Sequence, residues 1–156
     1  MRRASLLALP LLLAPLAAQT PRPLPALADA TRVHDTKADA ARSWPELLDA
    51  LAKHDVVFLG ETHVDDTTHQ VELHVLEQLL QRRAGKVVLS MEMFERDVQP
   101  VLDDYLAGRI DEATFTHKAR AWQNYPTAYR PLIECAKAAK IPVVADRKST
   151  RLNSSH

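Results

Sequence analysis

The sequence predicts an α/β protein in which a parallel sheet is flanked by helices. Three short segments are largely apolar and rich in β-branched residues, as strands buried on both faces are: VVFL at 56–59, KVVLSM at 86–91 and IPVVA at 141–145. A helical pattern separates the first two, which is typical of a right-handed βαβ unit in a parallel sheet. Because the residues after 145 match a sequencing adapter, as described below, we interpret the chain as a C-terminally truncated fragment and expect further strands in the missing part.

The segments around the predicted strands carry helix signals. Ser43 stands three residues before Glu46, which is the spacing of a capping box, and Pro45 falls in the first turn. Residues 67–83 repeat leucine at helical spacing, and Gly85 follows as a C-terminal cap. Three more helices are predicted, at 100–107, at 111–121 and from 127 onwards.

The two ends of the chain differ in character from its middle. Residues 1–19 join a basic start to a proline-broken apolar run, which favours a signal peptide over a membrane-spanning helix, and residues 20–42 are interpreted as a linker. Residues 146–156, DRKSTRLNSSH, match the translation of a common sequencing-library adapter, so we interpret them as an artefact. The N-terminal part of the domain then spans 43–145. We expect an exported protein, periplasmic or otherwise associated with the envelope.

Charge and cysteine content exclude several classes of function. The chain has 20 basic and 20 acidic residues. Without the tail and the first two arginines, 15 basic residues remain against 19 acidic ones, which argues against nucleic acid as a partner. The single cysteine, Cys135, excludes an internal disulfide and a Cys-rich zinc module, and we interpret it as a small apolar residue on a helix. No cysteine lies near the apolar run, so the sequence does not support membrane anchoring by a lipid.

Titratable side chains cluster where the predicted strands end. Glu61 and His63 follow the first strand, Glu92 follows the second, and His69 lies on the leucine stripe of the helix and is expected to point inward. His74 lies off that stripe and is expected to face solvent. Because ligands bind at the carboxyl ends of parallel strands, such groups suit a divalent metal or general acid–base work. The structural alternative is that the glutamate bonds loop amides, the inward histidine is a satisfied core residue, and an aspartate caps the helix.

A second group of candidates lies in WQNYPTAYRP, residues 122–131. Trp122, Tyr125, Tyr129 and Arg130 place aromatic rings beside a cation, which suits a flat, anionic and partly apolar ligand. A tyrosine phenolate or an imidazole serves as an axial ligand to haem iron, and arginine pairs with carboxylates such as the propionates. The alternative is that Tyr129 is a core residue, because it is in helical register with the apolar positions that follow it.

Three stretches of the chain resemble the ChaN-like family of haem-binding, iron-regulated proteins: VVFLGETHVDDTTHQ, LSMEMFERDVQPVLDDYLAGRIDEATF and WQNYPTAYRPLIECAKAAKIPVVA. The similarity runs from about Ser43 to Ala145. Its motifs are Gly-Glu-x-His, Glu-Met-Phe with a following Gln-Pro, and Asn-Tyr-Pro-Thr-x-Tyr-Arg-Pro, in the family's order. The resemblance implies an exported or envelope-associated α/β protein that binds haem in iron acquisition, with a homodimer as one arrangement.

The resemblance also implies roles for individual residues and a competing function. The candidate haem-binding residues are Tyr125, Tyr129, Arg130, His63 and Trp122. Related Tiki/TraB and erythromycin-esterase-like families share the Gly-Glu-x-His type of motif and include hydrolases, so the alternative is a metal-dependent hydrolase. Its catalytic residues would be Glu61, His63 and Glu92, and its metal ligands Glu61, His63, His69 and Glu92. We expect a binding protein rather than an enzyme.

Overall fold

The structure is a computed structural model, and it describes residues 25–148. Its helices are α1 (Pro25–Ala30), α2 (Trp44–Leu51), α3 (Asp66–Arg82), α4 (Gln99–Leu106), α5 (Glu112–Lys118), α6 (Tyr125–Ala128) and α7 (Arg130–Ala139). Its strands are β1 (Val33–Asp35), β2 (Ala40–Arg42), β3 (Leu89–Glu95) and β4 (Val143–Arg147). The predicted signal peptide and most of the predicted adapter tail lie outside the described residues. Within them, every helix is too short or too polar to cross a membrane.

Helices α2 and α3 begin where the sequence supplies capping side chains, and a glycine follows the end of α3. The Ser43 hydroxyl accepts a hydrogen bond from the Glu46 N–H at 3.4 Å, and the Glu46 carboxylate accepts from the Ser43 N–H at 2.8 Å. The predicted capping box of α2 is therefore confirmed. The Asp65 carboxylate caps α3, and Gly85 follows that helix with a φ of 75°, which disfavours a side chain.

The parallel sheet of the described residues is formed by β3 and β4. Leu89 pairs with Val143 and Met91 pairs with Ala145, so the second and third predicted strands lie side by side in the predicted parallel direction. The side chain of Gln99 covers the other edge of β4. Its Nε2 donates to the Val143 carbonyl at 2.9 Å, and its Oε1 accepts from the Ala145 N–H at 2.7 Å, as a neighbouring strand would. β4 extends two residues into the predicted adapter segment.

The first predicted strand, at 56–59, is not formed. Val56 is 67% exposed and Phe58 is 91% exposed, and the segment has no strand pairing within the described residues. An apolar run predicts burial, but a strand also needs a neighbour for its backbone N–H and C=O groups. The prediction of a βαβ unit with α3 as its crossover was therefore wrong. The crossover of the parallel pair contains α4 to α7 instead.

One face of the sheet packs against the helices and the other is open. Met91, Met93 and Val143 are buried in the core, whereas Glu92 and Val144 are exposed on the opposite face. The largest fully buried side chains of the described range are Phe94, Phe115, Leu102, Ile133 and Val75. Cys135 is partly buried on α7 and packs against this core, in keeping with its predicted apolar role.

Residues 25–42, which the sequence analysis placed in a linker, carry regular structure. Helix α1 is followed by an antiparallel hairpin in which Val33 lies opposite Arg42. The Asp35 carboxylate accepts hydrogen bonds from two amides of the hairpin turn, at 3.1 and 3.0 Å. The strands are three residues long each. Such short elements leave little periodicity in the sequence, so composition alone did not reveal them.

Candidate functional site

The loop at residues 60–65 carries Glu61 and His63 and leads directly into α3. The Asp65 N–H donates to the Thr62 carbonyl at 2.9 Å, which closes a tight turn around His63. Hydrogen bonds from the Thr68 hydroxyl and from amides of the first helical turn lower the pKa of Asp65. Asp65 therefore serves as the helix cap, as in the structural alternative, and the loop presents its other two polar side chains to the site.

The Glu61 carboxylate joins three parts of the chain. Its Oε1 accepts a hydrogen bond from the Tyr129 hydroxyl at 2.8 Å and also forms a hydrogen bond with Nδ1 of His63. Its Oε2 lies 3.4 Å from Nδ1 of His69. The loop, α3 and the junction between α6 and α7 therefore meet at this one carboxylate, which is 17% exposed.

His69 is the buried histidine of the site, at 6% exposure. Its Nδ1 lies 3.1 Å from Oε2 of Glu72, and its Nε2 lies 3.2 Å from the carbonyl oxygen of His63. Because both ring nitrogens face acceptors, the ring satisfies both only when each nitrogen carries a proton. Burial alone lowers the pKa of His69, but the hydrogen bonds to Glu72 and His63 and the nearby carboxylates together raise it.

Glu72 belongs to this cluster, although the sequence analysis did not include it. Burial raises the pKa of Glu72 and the charge of Glu61 adds to the rise, against the hydrogen bond to His69, which lowers it. One ligand atom from each of Glu61, His69 and Glu72 lies within 4.8 Å of the other two. The available signal was the His-x-x-Glu spacing, which places both side chains on one helix face.

His63 is the exposed histidine of the site, with 54% of its side chain accessible. Its ring lies edge-on to Trp122, with 5.2 Å between centroids, and Trp122 lies edge-on to Tyr129 at 5.7 Å. The Asn124 side chain donates from Nδ2 to the His63 carbonyl at 2.7 Å. Nδ1 is bound to Glu61, while Nε2 has no hydrogen-bond partner within residues 25–148. The ring therefore presents Nε2 to an incoming ligand.

Three of the predicted site residues lie apart from this cluster. Tyr125 is buried beside Phe115, with 5.9 Å between ring centroids, and its hydroxyl has no partner in the described part of the chain. The Nε of Arg130 donates to Glu112 at 2.6 Å. Glu92 lies inside β3 with its side chain exposed, so the prediction that it follows the strand was wrong. Strand β3 continues to Glu95. Because side chains alternate along a strand, Glu92 lies on the open face, opposite to the buried Met91 and Met93.

His74 is also less exposed than the sequence analysis expected. Its ring lies edge-on to Trp44 of α2, with 5.2 Å between centroids, and its side chain is half-buried. Burial lowers the pKa of His74. The expectation of a solvent-facing residue considered α3 alone. It did not include α2, which covers that side of the helix.

The arrangement offers two donor sets that share Glu61. A half-exposed imidazole whose Nδ1 is held by a carboxylate is a well-suited ligand for iron, since the carboxylate fixes the tautomer and raises the basicity of the ring. The buried trio of Glu61, His69 and Glu72 offers the carboxylate and imidazole ligands that divalent transition metals accept. The fold and the site thus define an α/β protein with a carboxylate–imidazole site on the loop before its longest described helix.

The chain belongs to the ChaN-like haem-binding family of the Tiki superfamily. The family model described as haem-binding uptake, Tiki superfamily, ChaN matches residues 47–154, which is more than half of the chain. The predicted family is therefore confirmed. A search of curated proteins found no match.

A solved structure described as cofacial heme binding to ChaN of Campylobacter jejuni is similar, with a TM-score of 0.64 and 18% sequence identity. The match covers 76% of this chain and 49% of that one, so the chain spans about half the length of that relative. At this identity the likeness concerns the fold, and it confirms the predicted α/β class with a parallel sheet flanked by helices.

Proposed function

We propose that this protein binds haem and that His63 supplies the side chain that contacts the iron. When bound, haem supplies an iron centre with an axial position for a protein ligand. The observation that carries the proposal is the His63 ring, which is held at Nδ1 by Glu61 and open at Nε2. Trp122 lies against the ring and Val64 beside it is 88% exposed, so apolar surface of the kind a porphyrin contacts borders the imidazole.

The two tyrosines of the aromatic motif suit the iron less well. Tyrosine binds iron as the phenolate, and Tyr125 and Tyr129 are 2% and 3% exposed. Burial raises the pKa of both well above the ordinary value, and the hydrogen bond to Glu61 raises that of Tyr129 further. The guanidinium of Arg130 is paired with Glu112, so it would have to leave that partner to bind a propionate.

A haemin titration of the full chain, followed by the Soret band, tests the proposal. We expect saturable binding with a shifted band, and at least roughly tenfold weaker binding with loss of the shift in His63→Ala. The matched control is His34→Ala, because His34 is 51% exposed and its Nε2 also faces a carboxylate, that of Asp39 at 3.1 Å. We expect this control to bind haem as the unaltered protein does.

The tyrosine variants separate the ligand assignment from haem binding itself. If Tyr125→Phe or Tyr129→Phe abolishes the shifted band while His63→Ala keeps it, the ligand assignment is wrong and haem binding stands. If the folded, unaltered protein shows no saturable binding, the haem proposal is overturned. Sedimentation with and without haem then shows whether two copies share the ligand, as the homodimer arrangement requires.

We also propose that haem binding serves haem and iron uptake at the bacterial envelope. The description of the family as haem-binding uptake and the signal-peptide pattern of residues 1–19 support this role. Fractionation of cells expressing the chain, with mass spectrometry of the mature amino terminus, tests it. A protein that keeps residues 1–19 and stays in the cytoplasm contradicts the proposed location.

A divalent metal bound by Glu61, His69 and Glu72 is the second candidate function, as the site of a hydrolase. The closeness of their ligand atoms, within 4.8 Å, favours it over the originally predicted set containing Glu92. Calorimetric titration with Mn²⁺ and Zn²⁺ tests it, with Glu72→Gln expected to abolish binding and Glu92→Gln to leave it unchanged. A hydrolase would lose ester or peptide turnover in chelator and regain it with added metal. A protein that binds neither ion rules out this candidate.

A further inference from the structure

We infer that Asn124 is a positioning residue that sets the direction of the His63 side chain. The inference rests on the proposed function, in which the ring of His63 is the haem ligand. The Nδ2 of Asn124 donates to the backbone carbonyl of His63 at 2.7 Å, across 61 residues of sequence. This bond joins the turn before α6 to the loop before α3.

Within residues 25–148, side-chain hydrogen bonds hold the His63 loop, and no strand of this range supports it. The preceding residues, 56–59, have no strand pairing and all but Val57 are exposed, so secondary structure does not hold the loop on that side. The carbonyl of His63 accepts from two side chains, Asn124 Nδ2 and His69 Nε2 at 3.2 Å, which together engage both of its lone pairs. The peptide after His63 is thereby fixed, and the fixed peptide limits the directions in which the imidazole can point.

The backbone of Asn124 is itself held by hydrogen bonds. Its own carbonyl accepts from the Thr127 N–H at 3.2 Å and from the Ala128 N–H at 2.9 Å, in the first turn of α6. The turn at residues 122–125, closed by a hydrogen bond from the Tyr125 N–H to the Trp122 carbonyl at 2.9 Å, contains both Asn124 and Trp122, whose ring packs edge-on against His63. One short turn therefore holds His63 from two sides, through the ring of Trp122 and through the amide of Asn124.

The amide of Asn124 is also the right donor for this position. The carbonyl lies beside a cluster that already contains the carboxylates of Glu61 and Glu72. An aspartate in place of Asn124 would add a third carboxylate and remove the donor, whereas a leucine of similar size would remove the amide without adding a charge. A neutral donor holds the loop without competing with His69 for the two glutamates.

Haemin titration and NMR of the Asn124→Leu variant test the inference in the full chain. We expect roughly tenfold weaker haem binding and an altered Soret position, the size seen when an outer partner of a metal ligand is lost. In the haem-free protein, we expect the ring resonances of His63 to shift and broaden. Gln123→Leu is the control, because Gln123 is the exposed neighbour on the same turn. We expect it to leave haem affinity and the His63 resonances unchanged.

A second comparison separates positioning from a general structural effect. In His63→Gly supplied with free imidazole, the ligand no longer depends on the loop, so adding Asn124→Leu should cost no further affinity. An equal loss in both backgrounds overturns the inference, and so do unchanged His63 resonances in Asn124→Leu. If His63→Ala binds haem like the unaltered protein, the proposed ligand fails, while the His63 resonances still decide whether Asn124 positions the ring.

Discussion

Two buried tyrosines of this protein donate their hydroxyls to glutamates, and the two pairs lead to different surroundings. The hydroxyl of Tyr105 donates to Glu134 at 2.5 Å, and the ammonium of Lys137 lies 3.7 Å from the centre of the Tyr105 ring. The hydroxyl of Tyr129 donates to Glu61 at 2.8 Å. Burial, followed by the hydrogen bond to the carboxylate, raises the pKa of both phenols. The local chemistry of the two pairs is therefore the same.

The difference lies in the neighbouring ring. Tyr105 stacks in parallel on Phe115, with 4.4 Å between centroids, and Phe115 is fully buried. Glu61, the acceptor of Tyr129, instead binds the half-exposed His63. The first pair ends in the core and the second ends at a ring that reaches solvent. Only the second pair therefore contacts the residue that we propose as the haem ligand.

The largest effect that separates the two regions is expected from Phe115→Ala. The Phe115 ring is fully buried and contacts the rings of Phe94, Tyr105 and Tyr125, so its removal leaves a cavity among aromatic neighbours. We expect the free energy of unfolding to fall by about 3–5 kcal/mol. Chemical denaturation measures it, with His63→Ala as the comparison, for which we expect a change of less than about 1 kcal/mol. A similar loss in both variants would contradict the division into core and site.

A smaller and more selective effect is expected from Tyr105→Phe and Tyr129→Phe. Each variant removes one hydroxyl that donates to a glutamate, so we expect a loss of about 1.5–3 kcal/mol in the free energy of unfolding for either. Only Tyr129→Phe should also change the Soret band of the haem-loaded protein, because Glu61 holds Nδ1 of His63. A spectral change of equal size in Tyr105→Phe would show that the two pairs do not differ in function.

Several features of the site were predictable from the sequence, and others were not. Glu61 and His63 lie close together because they are two residues apart, and His69 is buried because it shares a stripe with leucines. Tyr129 reaches Glu61 from 68 residues away, a contact that depends on how α7 packs against α3. Asn124 was missed because its bond to His63 also joins distant parts of the chain. In addition, an asparagine in a turn carries no periodic signal.

The fold shows the same division between local and long-range information. Caps and glycine stops are local, so α3 and α4 begin and end within about one residue of their predicted bounds, and α2 begins directly after its predicted cap. Strand pairing is not local, and the apolar composition of 56–59 could not say whether a partner would be present. The hydrogen bonds between the Gln99 amide and the edge of β4 are also long-range, so they could not be predicted from the sequence.

The smallest expected effect is a pH dependence that compares two histidines on α3. The pKa of His69 is raised above its ordinary 6.5, so its protonated form stabilises the fold. That stability is fully present below pH 6.5 and is lost as the pH rises through the folded-state pKa. The pKa of His74 is lowered by burial, so its contribution is present above pH 6.5 and is lost as the pH falls through its folded-state value. The two histidines therefore act in different pH windows with opposite slopes.

Denaturation in chelator-containing buffer at several pH values between 6.5 and 8.5 isolates the contribution of His69. We expect the free energy of unfolding to decrease across this window in the unaltered protein and in His74→Gln, and to decrease less steeply in His69→Gln. The pKa of Glu72 is also raised, so its contribution to stability likewise decreases as the pH rises. This decrease begins above the ordinary pKa of 4.5, so part of it falls below the window. The pKa of Cys135 is raised from 9.0 by burial, so the thiol titrates above the window. A slope of unchanged size in His69→Gln would mean that the buried histidine contributes none of it, and that its charge does not hold the Glu61 cluster together.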